Sequence, residues 1–214
     1  MTRTITNDLG LPDAMVRALQ NDDYSRGESD ITVTELIDPP RKVALTRLHE
    51  EEIVEDVSDR IYALMGQAIH NIIERANLTD SVEERMYATV AGWKVGGKYD
   101  NLALTDDPEY GRILSDYKSV SVWETIHGLK PEREQQLNVL GWLARQNGHR
   151  VDRLEAVCIM RDWSKPEASR RPEGYPQRQV MRYFIPTWPD EKTVAFITER
   201  VLLHQQARME LPEC

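Results

Sequence analysis

The residues best suited to chemistry form a short segment, Ser115-Asp116-Tyr117-Lys118-Ser119. We predict that this segment ends a strand, where side chains two positions apart share a face, so Asp116 and Lys118 project together. A carboxylate beside an ammonium suits a hard-metal site, in which the acid binds the cation and the lysine acts on a water or a developing oxyanion. The alternative is a common ion pair on a solvated sheet face, so the segment alone does not define a site.

A second carboxylate precedes this segment, in Gly97-Lys98-Tyr99-Asp100. If the two strands form a hairpin, Asp100 lies beside Asp116 and the two side chains can share one divalent cation. Adjacent carboxylates repel each other unless a cation or a proton neutralises them. The alternative is that Asp100 only begins a turn with Asn101.

A third group lies in an apolar helix predicted over residues 57–76, where Gly66, His70 and Glu74 follow one line along the helix. His70 borders the apolar stripe and is either a metal ligand through one ring nitrogen or a structural histidine. Glu74 is a weaker candidate ligand or a surface residue. Gly66 fits a close approach of the helix to the sheet or to a ligand, and we expect the apolar stripe to be buried.

A fourth group lies in a helix predicted over residues 131–146, where Gln136 and Leu140 share a face. A glutamine at this position can hydrogen-bond a phosphate, a metal-bound water or the lysine. The alternative is an ordinary amphipathic helix whose polar residues face solvent.

Periodicity and turn signals predict the elements that must position these groups. Their order favours an α/β fold, with a mixed central β-sheet flanked by helices. We expect an N-terminal helix and acidic loop over residues 1–30 and a single domain over 31–214. The predicted helices cover 11–19, a short segment that begins at a capping box of Thr32 and Glu35, a stretch after Pro39-Pro40, and residues 57–76, 131–146 and 190–209. The predicted strands cover 82–92, 95–104, 112–120, 154–161 and 179–185. Residues 164–176 are predicted to form a loop.

Composition excludes several classes of protein. The chain has 214 residues, of which 40% are hydrophobic and 29% are charged, as in a soluble globular protein. The two cysteines, Cys158 and Cys214, are too few for a four-thiolate zinc site or an iron–sulfur cluster. The first residues lack the apolar segment of a secretory signal, so we expect a cytoplasmic location and no membrane association.

Charge is distributed unevenly along the chain. The net charge is -9, which argues against general coating of nucleic acid. Residues 111–182, however, carry 13 basic and 9 acidic residues, which is either a local phosphate-contacting surface or solubility patterning. The candidate DNA contacts are Arg133, Arg161, Trp163, Lys165, Arg170 and Arg171, with Trp163 able to stack on an unpaired base.

The four groups, in this order, resemble the RecB-like branch of the PD-(D/E)XK nuclease superfamily over about residues 32–163. The resemblance implies a restriction-endonuclease-like core in which His70, Asp100, Asp116 and the main-chain carbonyl of Tyr117 bind Mg²⁺ or Mn²⁺. It makes Lys118 the catalytic lysine, acting with Asp116, Asp100 and Gln136. Gln136 matches the glutamine of the Gln-x-x-x-Tyr motif of this branch, whereas Leu140 replaces the tyrosine. Relatives with an iron–sulfur cluster need four cysteines, so a cluster-free enzyme is expected.

The resemblance implies a divalent-metal-dependent DNA nuclease, more specifically an exonuclease acting on DNA ends. Such an enzyme would serve replication, recombination or repair in a bacterium or a phage-infected host cell, where a replication or recombination protein is a candidate partner. One alternative is a non-catalytic DNA-binding or assembly module that retains the fold. Another is a nuclease acting on RNA.

Overall fold

The computed structural model describes residues 3–20, 25–76, 85–105 and 109–211. Short 3-10 turns at Glu50–Glu52 and Val57–Arg60 add to the helices and strands. In chain order the elements are β1 (Thr4–Thr6), α1 (Asp13–Gln20), β2 (Ile31–Thr32), α2 (Val33–Ile37), α3 (Pro40–Leu48), β3 (Val54–Asp56), α4 (Ile61–Ala76), β4 (Met86–Val90), β5 (Trp93–Gly97), β6 (Asn101–Leu104), β7 (Arg112–Val120), α5 (Val122–Ile126), α6 (Pro131–Gln146), β8 (Arg153–Met160), α7 (Lys165–Arg170), β9 (Val180–Ile185) and α8 (Asp190–Met209).

The largest sheet has four strands in the order β6-β7-β8-β9. β6 is antiparallel to β7, β7 is parallel to β8, and β8 is antiparallel to β9. Parallel neighbours need a long crossover connection, and here it contains α5 and α6. A second sheet has the order β2-β5-β4, and β1 pairs with β3. With α4 and α6 both packed against β7, the predicted mixed sheet flanked by helices is confirmed.

The strand predicted over residues 95–104 is wrong in one respect, because it is two strands in different sheets. β5 pairs with β4 and β2, whereas β6 pairs with β7. At the end of β5, a Cβ on Gly97 would lie 2.7 Å from Leu140 Cδ2 and 2.8 Å from Val33 Cγ2. The apolar pattern continues across residues 98–100 and does not encode this change of partner.

Two expectations about α4 need correction. Its apolar stripe is not buried, since Met65 is 43% and Ile72 is 66% exposed and Leu64 and Ile69 are half-buried. A Cβ on Gly66 would meet no described atom within 4 Å, apart from the helix's own backbone, so no close approach to the sheet requires that glycine. Period 3.6 predicts a helix with an apolar stripe, but it does not say whether another element covers the stripe.

Local signals at helix ends behave as expected in one place and were missed in another. The Thr32 hydroxyl accepts from the Glu35 amide at 3.3 Å, while the Glu35 carboxylate accepts from the Thr32 amide at 3.0 Å, so the predicted capping box is confirmed. The predicted loop over 164–176 is wrong in part, because it contains α7. Ser164 begins that helix by accepting a hydrogen bond from the Glu167 amide.

The main core lies between α6 and the sheets. Leu137, Leu140 and Leu143 of α6 are at most 2% exposed and pack with Leu114 of β7 and Leu154 of β8. This packing holds α6 against β7 and β8. In the part of the chain that the structure describes, no helix has the length and apolar character needed to cross a membrane.

Candidate active site

The register of β6 against β7 determines where Asp100 lies. Asn101 pairs with Ser115 in this antiparallel ladder, so the residue before Asn101 lies opposite Asp116. The ladder ends there, and Asp100 Oδ2 accepts a hydrogen bond of 2.7 Å from the main-chain N–H of Tyr117. The Asp100 carboxylate is therefore fastened to β7 between Asp116 and Lys118.

Asp116 and Lys118 lie on the same face of β7 and form an ion pair, with 2.8 Å between Asp116 Oδ1 and Lys118 Nζ. The Asp116 side chain is 4% exposed and that of Lys118 is 20% exposed. Burial raises the pKa of Asp116, because it penalises the charged carboxylate, and the Lys118 ammonium opposes that rise. A buried carboxylate in this position is stabilised by added positive charge.

His70 reaches the same site from α4. Its Nδ1 lies 3.3 Å from Asp100 Oδ1, and its side chain is 36% exposed. The hydrogen bond to Asp100 raises the pKa of His70, and burial partly opposes this effect. The imidazole and the Asp100 carboxylate thus form a second pair beside the first.

These contacts bring four predicted residues together as two pairs, His70 with Asp100 and Lys118 with Asp116. The two carboxylates are oxygen donors that suit Mg²⁺ or Mn²⁺, the imidazole adds a nitrogen donor, and the buried Asp116 charge favours a cation. However, no group of three His, Cys, Asp or Glu side chains within residues 3–20, 25–76, 85–105 and 109–211 is arranged to hold a metal ion. The donor atoms of His70, Asp100 and Asp116 fit a cation by their chemistry. In this structure the two carboxylates pair instead with His70 and Lys118.

The remaining predicted site residues differ in what the structure says of them. Gln136 is half-buried on α6, and its side chain has no hydrogen bond to any residue the structure describes. Leu140 is 2% exposed and belongs to the core. Glu74 lies in α4, but its side chain is outside the described part of the chain.

Sequence reasoning missed Glu124, a residue of α5. Its Oε1 lies 3.0 Å from Arg133 Nε, and the two side chains are 11% and 23% exposed. The positive charge of Arg133 opposes the rise in the pKa of Asp116, as the charge of Lys118 does more strongly. The single available signal was a lone acidic residue in a short helix, which does not point to a site.

The other candidate DNA contacts divide into anchored and open side chains. Arg161 donates to the Ser119 carbonyl at 2.9 Å and lies over the Tyr62 ring. The Trp163 indole N–H donates to the Pro176 carbonyl at 2.8 Å, and the ring packs against a small buried cluster. Lys165, Arg170 and Arg171 are exposed on and after α7, with Arg170 paired to Glu167 at 3.0 Å and Arg171 over the Tyr175 ring. Trp163 is therefore partly committed to the fold, whereas α7 presents cations to solvent.

Comparison with known proteins gives a likeness of fold only. No family model matches the chain, and no curated protein matches it. The structure is similar to the crystal structure of SSO0001, with a TM-score of 0.60 and 19% identity over 88% of this chain and 84% of that one. It is also similar to an alkaline exonuclease (LHK-Exo) from Laribacter hongkongensis, with a TM-score of 0.44 and 17% identity over 84% of this chain and 91% of that one. The first likeness shows a shared fold, and the second is too low to support a conclusion.

Proposed function

We propose that this protein is a divalent-metal-dependent nuclease of the PD-(D/E)XK type, RecB-like branch, which hydrolyses phosphodiester bonds of DNA. The observation that carries the proposal is the convergence of His70, Asp100, Asp116 and Lys118. They come from α4, the segment between β5 and β6, and β7, and they meet in two contacting pairs. Two of them, His70 and Asp116, have pKa values raised by their surroundings, and titratable groups with shifted pKa values are typical of functional sites.

The site residues would have different roles in the reaction. Asp100 and Asp116, with His70 and the Tyr117 carbonyl, would hold a Mg²⁺ or Mn²⁺ ion, which would neutralise phosphate oxygens and polarise the phosphorus centre. Lys118 Nζ would orient or deprotonate the attacking water and stabilise the charge that develops on the phosphate. The Tyr117 amide holds the Asp100 carboxylate, and Gln136 would contact phosphate or water.

The proposed substrate is DNA, and an exonuclease acting on DNA ends is the preferred form of the activity. The basic segment over residues 111–182, with Lys165, Arg170 and Arg171 exposed near α7, supports contact with a charged backbone. Partly unpaired ends would suit Arg161 and Trp163. A role in bacterial or phage replication, recombination or repair in the cytoplasm rests on the motif resemblance alone.

The test is a cleavage assay on end-labelled single-stranded DNA, linear duplex DNA, closed-circular DNA and RNA, with Mg²⁺, Mn²⁺ or EDTA. We expect cleavage of linear DNA with either metal and none with EDTA. Lys118→Ala should abolish it. Lys42→Ala is the matched control, because Lys42 Nζ lies 2.9 Å from Asp38 Oδ2 in an exposed pair. Full metal-dependent cleavage by Lys118→Ala would refute the catalytic assignment.

A second candidate function is a non-catalytic DNA-binding or assembly module. The observation in its favour is that the described side chains form no group of three potential metal ligands. Tight DNA binding without metal, together with no cleavage of any substrate in the same assay, would favour this function. Cleavage of RNA alone would instead indicate a ribonuclease.

A further inference from the structure

The ion pair between Glu124 and Arg133 lies on the same sheet face as Lys118. Lys118 pairs in register with Cys158 on the parallel neighbour β8, and paired residues of neighbouring strands share a face. Helix α5 covers Cys158 and its neighbour Met160. Val122 packs in the same cluster as both, and the Thr125 hydroxyl contacts Met160 Sδ at 3.3 Å.

A second observation places the two charged groups close to this point. Burial raises the pKa of Cys158 to about 11, and the charges that also act on the thiol are those of Glu124, Arg133, Asp116 and Lys118. Cys158 itself is fully buried. The Glu124–Arg133 pair therefore lies on the sheet face of the proposed active site, where the Arg133 charge acts on Asp116 and Cys158.

The Arg133 guanidinium is held by only one edge. Its Nε donates to Glu124 Oε1 at 3.0 Å. Among the residues that the structure describes, none accepts a hydrogen bond from either Nη group of Arg133. The side chain is 23% exposed, so these donors are partly removed from bulk solvent without a protein partner.

A guanidinium fixed along one edge presents its remaining N–H groups in a set direction, which suits a phosphate better than a flexible ammonium does. We infer that Arg133 binds the phosphodiester group on which Lys118 acts, and that Glu124 is the positioning residue that aims its guanidinium. This inference rests on the proposed function and deepens it. Arg133 becomes a substrate-binding residue of the site rather than one of many basic surface residues.

The simplest competing explanation is a structural ion pair that links α5 to α6. Loss of a purely structural pair would lower the stability of the protein. It would not change how strongly DNA binding depends on the charge of one particular phosphate. Arg150 supplies a matched control, because its Nε lies 2.8 Å from Asp152 Oδ1. That pair lies next to the first residues of β7 and β8, at the end of the sheet away from Lys118.

The first experiment measures binding without cleavage, in EDTA. The probes are DNA oligonucleotides in which one terminal linkage at a time, from either end, is a neutral methylphosphonate. At one linkage we expect neutralisation to weaken binding of the wild type and Arg150→Gln about 10-fold, the effect of one charge-assisted contact. Arg133→Gln should bind charged and neutral probes equally, within about 2-fold. Equal losses for Arg133→Gln and the wild type, or no loss at any linkage, would overturn the inference.

The second experiment separates positioning from folding. Arg133→Gln should lower kcat on linear DNA about 100-fold, as expected when one donor to a developing charge is lost. Glu124→Ala should remove much of the phosphate dependence of binding, and Glu124→Gln should restore it, because its amide oxygen can still accept from Arg133 Nε. Equal behaviour of the two Glu124 variants would contradict the positioning role. Wild type that cleaves nothing refutes the nuclease proposal, whereas the binding comparison tests Arg133 separately.

Discussion

Asp100 Oδ2 accepts a hydrogen bond of 2.7 Å from the main-chain N–H of Tyr117. The bond forms where the β6–β7 ladder ends, so the side chain takes the place of the strand acceptor that would otherwise pair with this amide. It fixes the Asp100 carboxylate between Asp116 and Lys118. The side chains of Asp116 and Lys118 point to one face of the strand and that of Tyr117 points to the other. The positions of the candidate active-site groups therefore depend on a main-chain contact that no motif displays.

Replacement of Asp100 separates its charge from its hydrogen bond. Asp100→Asn keeps an oxygen that can accept from Tyr117 N–H, whereas Asp100→Ala does not. We expect both variants to lose at least about 100-fold in the single-turnover cleavage rate, as for loss of one charge-stabilising group. In urea unfolding, only Asp100→Ala should lose about 1 kcal/mol. Near-normal cleavage by Asp100→Asn would show that the carboxylate charge is not required.

Metal binding should be visible as added stability, independently of catalysis. A cation that binds the folded state alone stabilises it by about 2.7 kcal/mol at 100 times its Kd. We expect Mg²⁺ or Mn²⁺ to raise the melting temperature of the wild type in differential scanning calorimetry. Asp116→Asn should lose this increase, because it removes the buried carboxylate. Asp38→Asn, which changes an exposed aspartate, should retain it, and an equal increase in Asp116→Asn would exclude Asp116 as a ligand.

Leu140→Tyr restores the tyrosine of the motif that the sequence resembles, but we expect it to harm the protein. Leu140 is 2% exposed, and its Cδ2 lies 2.7 Å from the position of a Cβ on Gly97. A larger side chain would overpack this contact and cost about 1–3 kcal/mol in the free energy of unfolding. Chemical denaturation measures that loss, with Leu140→Met as the conservative comparison. A stable Leu140→Tyr variant with faster DNA cleavage would show that the tyrosine can reach the site.

Stability should fall at acidic pH partly through His204. This side chain is 3% exposed, and its Nε2 lies 3.2 Å from the Leu36 carbonyl, which requires a proton on Nε2. Burial lowers the pKa of His204, and the positive charges of Arg200 and Arg47 act in the same direction. The neutral ring is thus favoured in the folded state, while the unfolded chain binds a proton more readily.

The stabilisation from His204 is therefore fully present above its unfolded pKa of about 6.5 and is lost as pH falls through the lower folded value. Urea unfolding between pH 8 and pH 5 measures this loss. His204→Gln cannot titrate but keeps an N–H donor, so its free energy of unfolding should fall less over that range. An identical pH dependence in wild type and variant would contradict this explanation.

The bounds expected for β7, α6 and α8 are those observed. For α6 the signals were local, since Pro131 suits the first turn of a helix and Gly148 lies just after its end. The strongly periodic helix predicted over 57–76 begins later, at Ile61, after a 3-10 turn at Val57–Arg60. The pairing of β1 with β3 joins segments about 50 residues apart that are only three residues long, and such pairings have no local signal. The end of β5 and the start of β6 at Asn101 were missed for the same reason. The chain changes there from one sheet to another, and which strand it pairs with depends on distant residues.

The sequence by itself determined which chemistry is available: a carboxylate and a lysine two apart on one strand, a second aspartate one strand earlier, and a histidine on an apolar helix. It also determined helix caps and strand alternation, because these depend on residues within a few positions of one another. Only the tertiary structure decided that Asp100 is fastened to the Tyr117 amide, that Leu140 is part of the core and that Glu124 pairs with Arg133. Each of these contacts joins residues from different elements, and their positions follow from how the helices pack on the sheets.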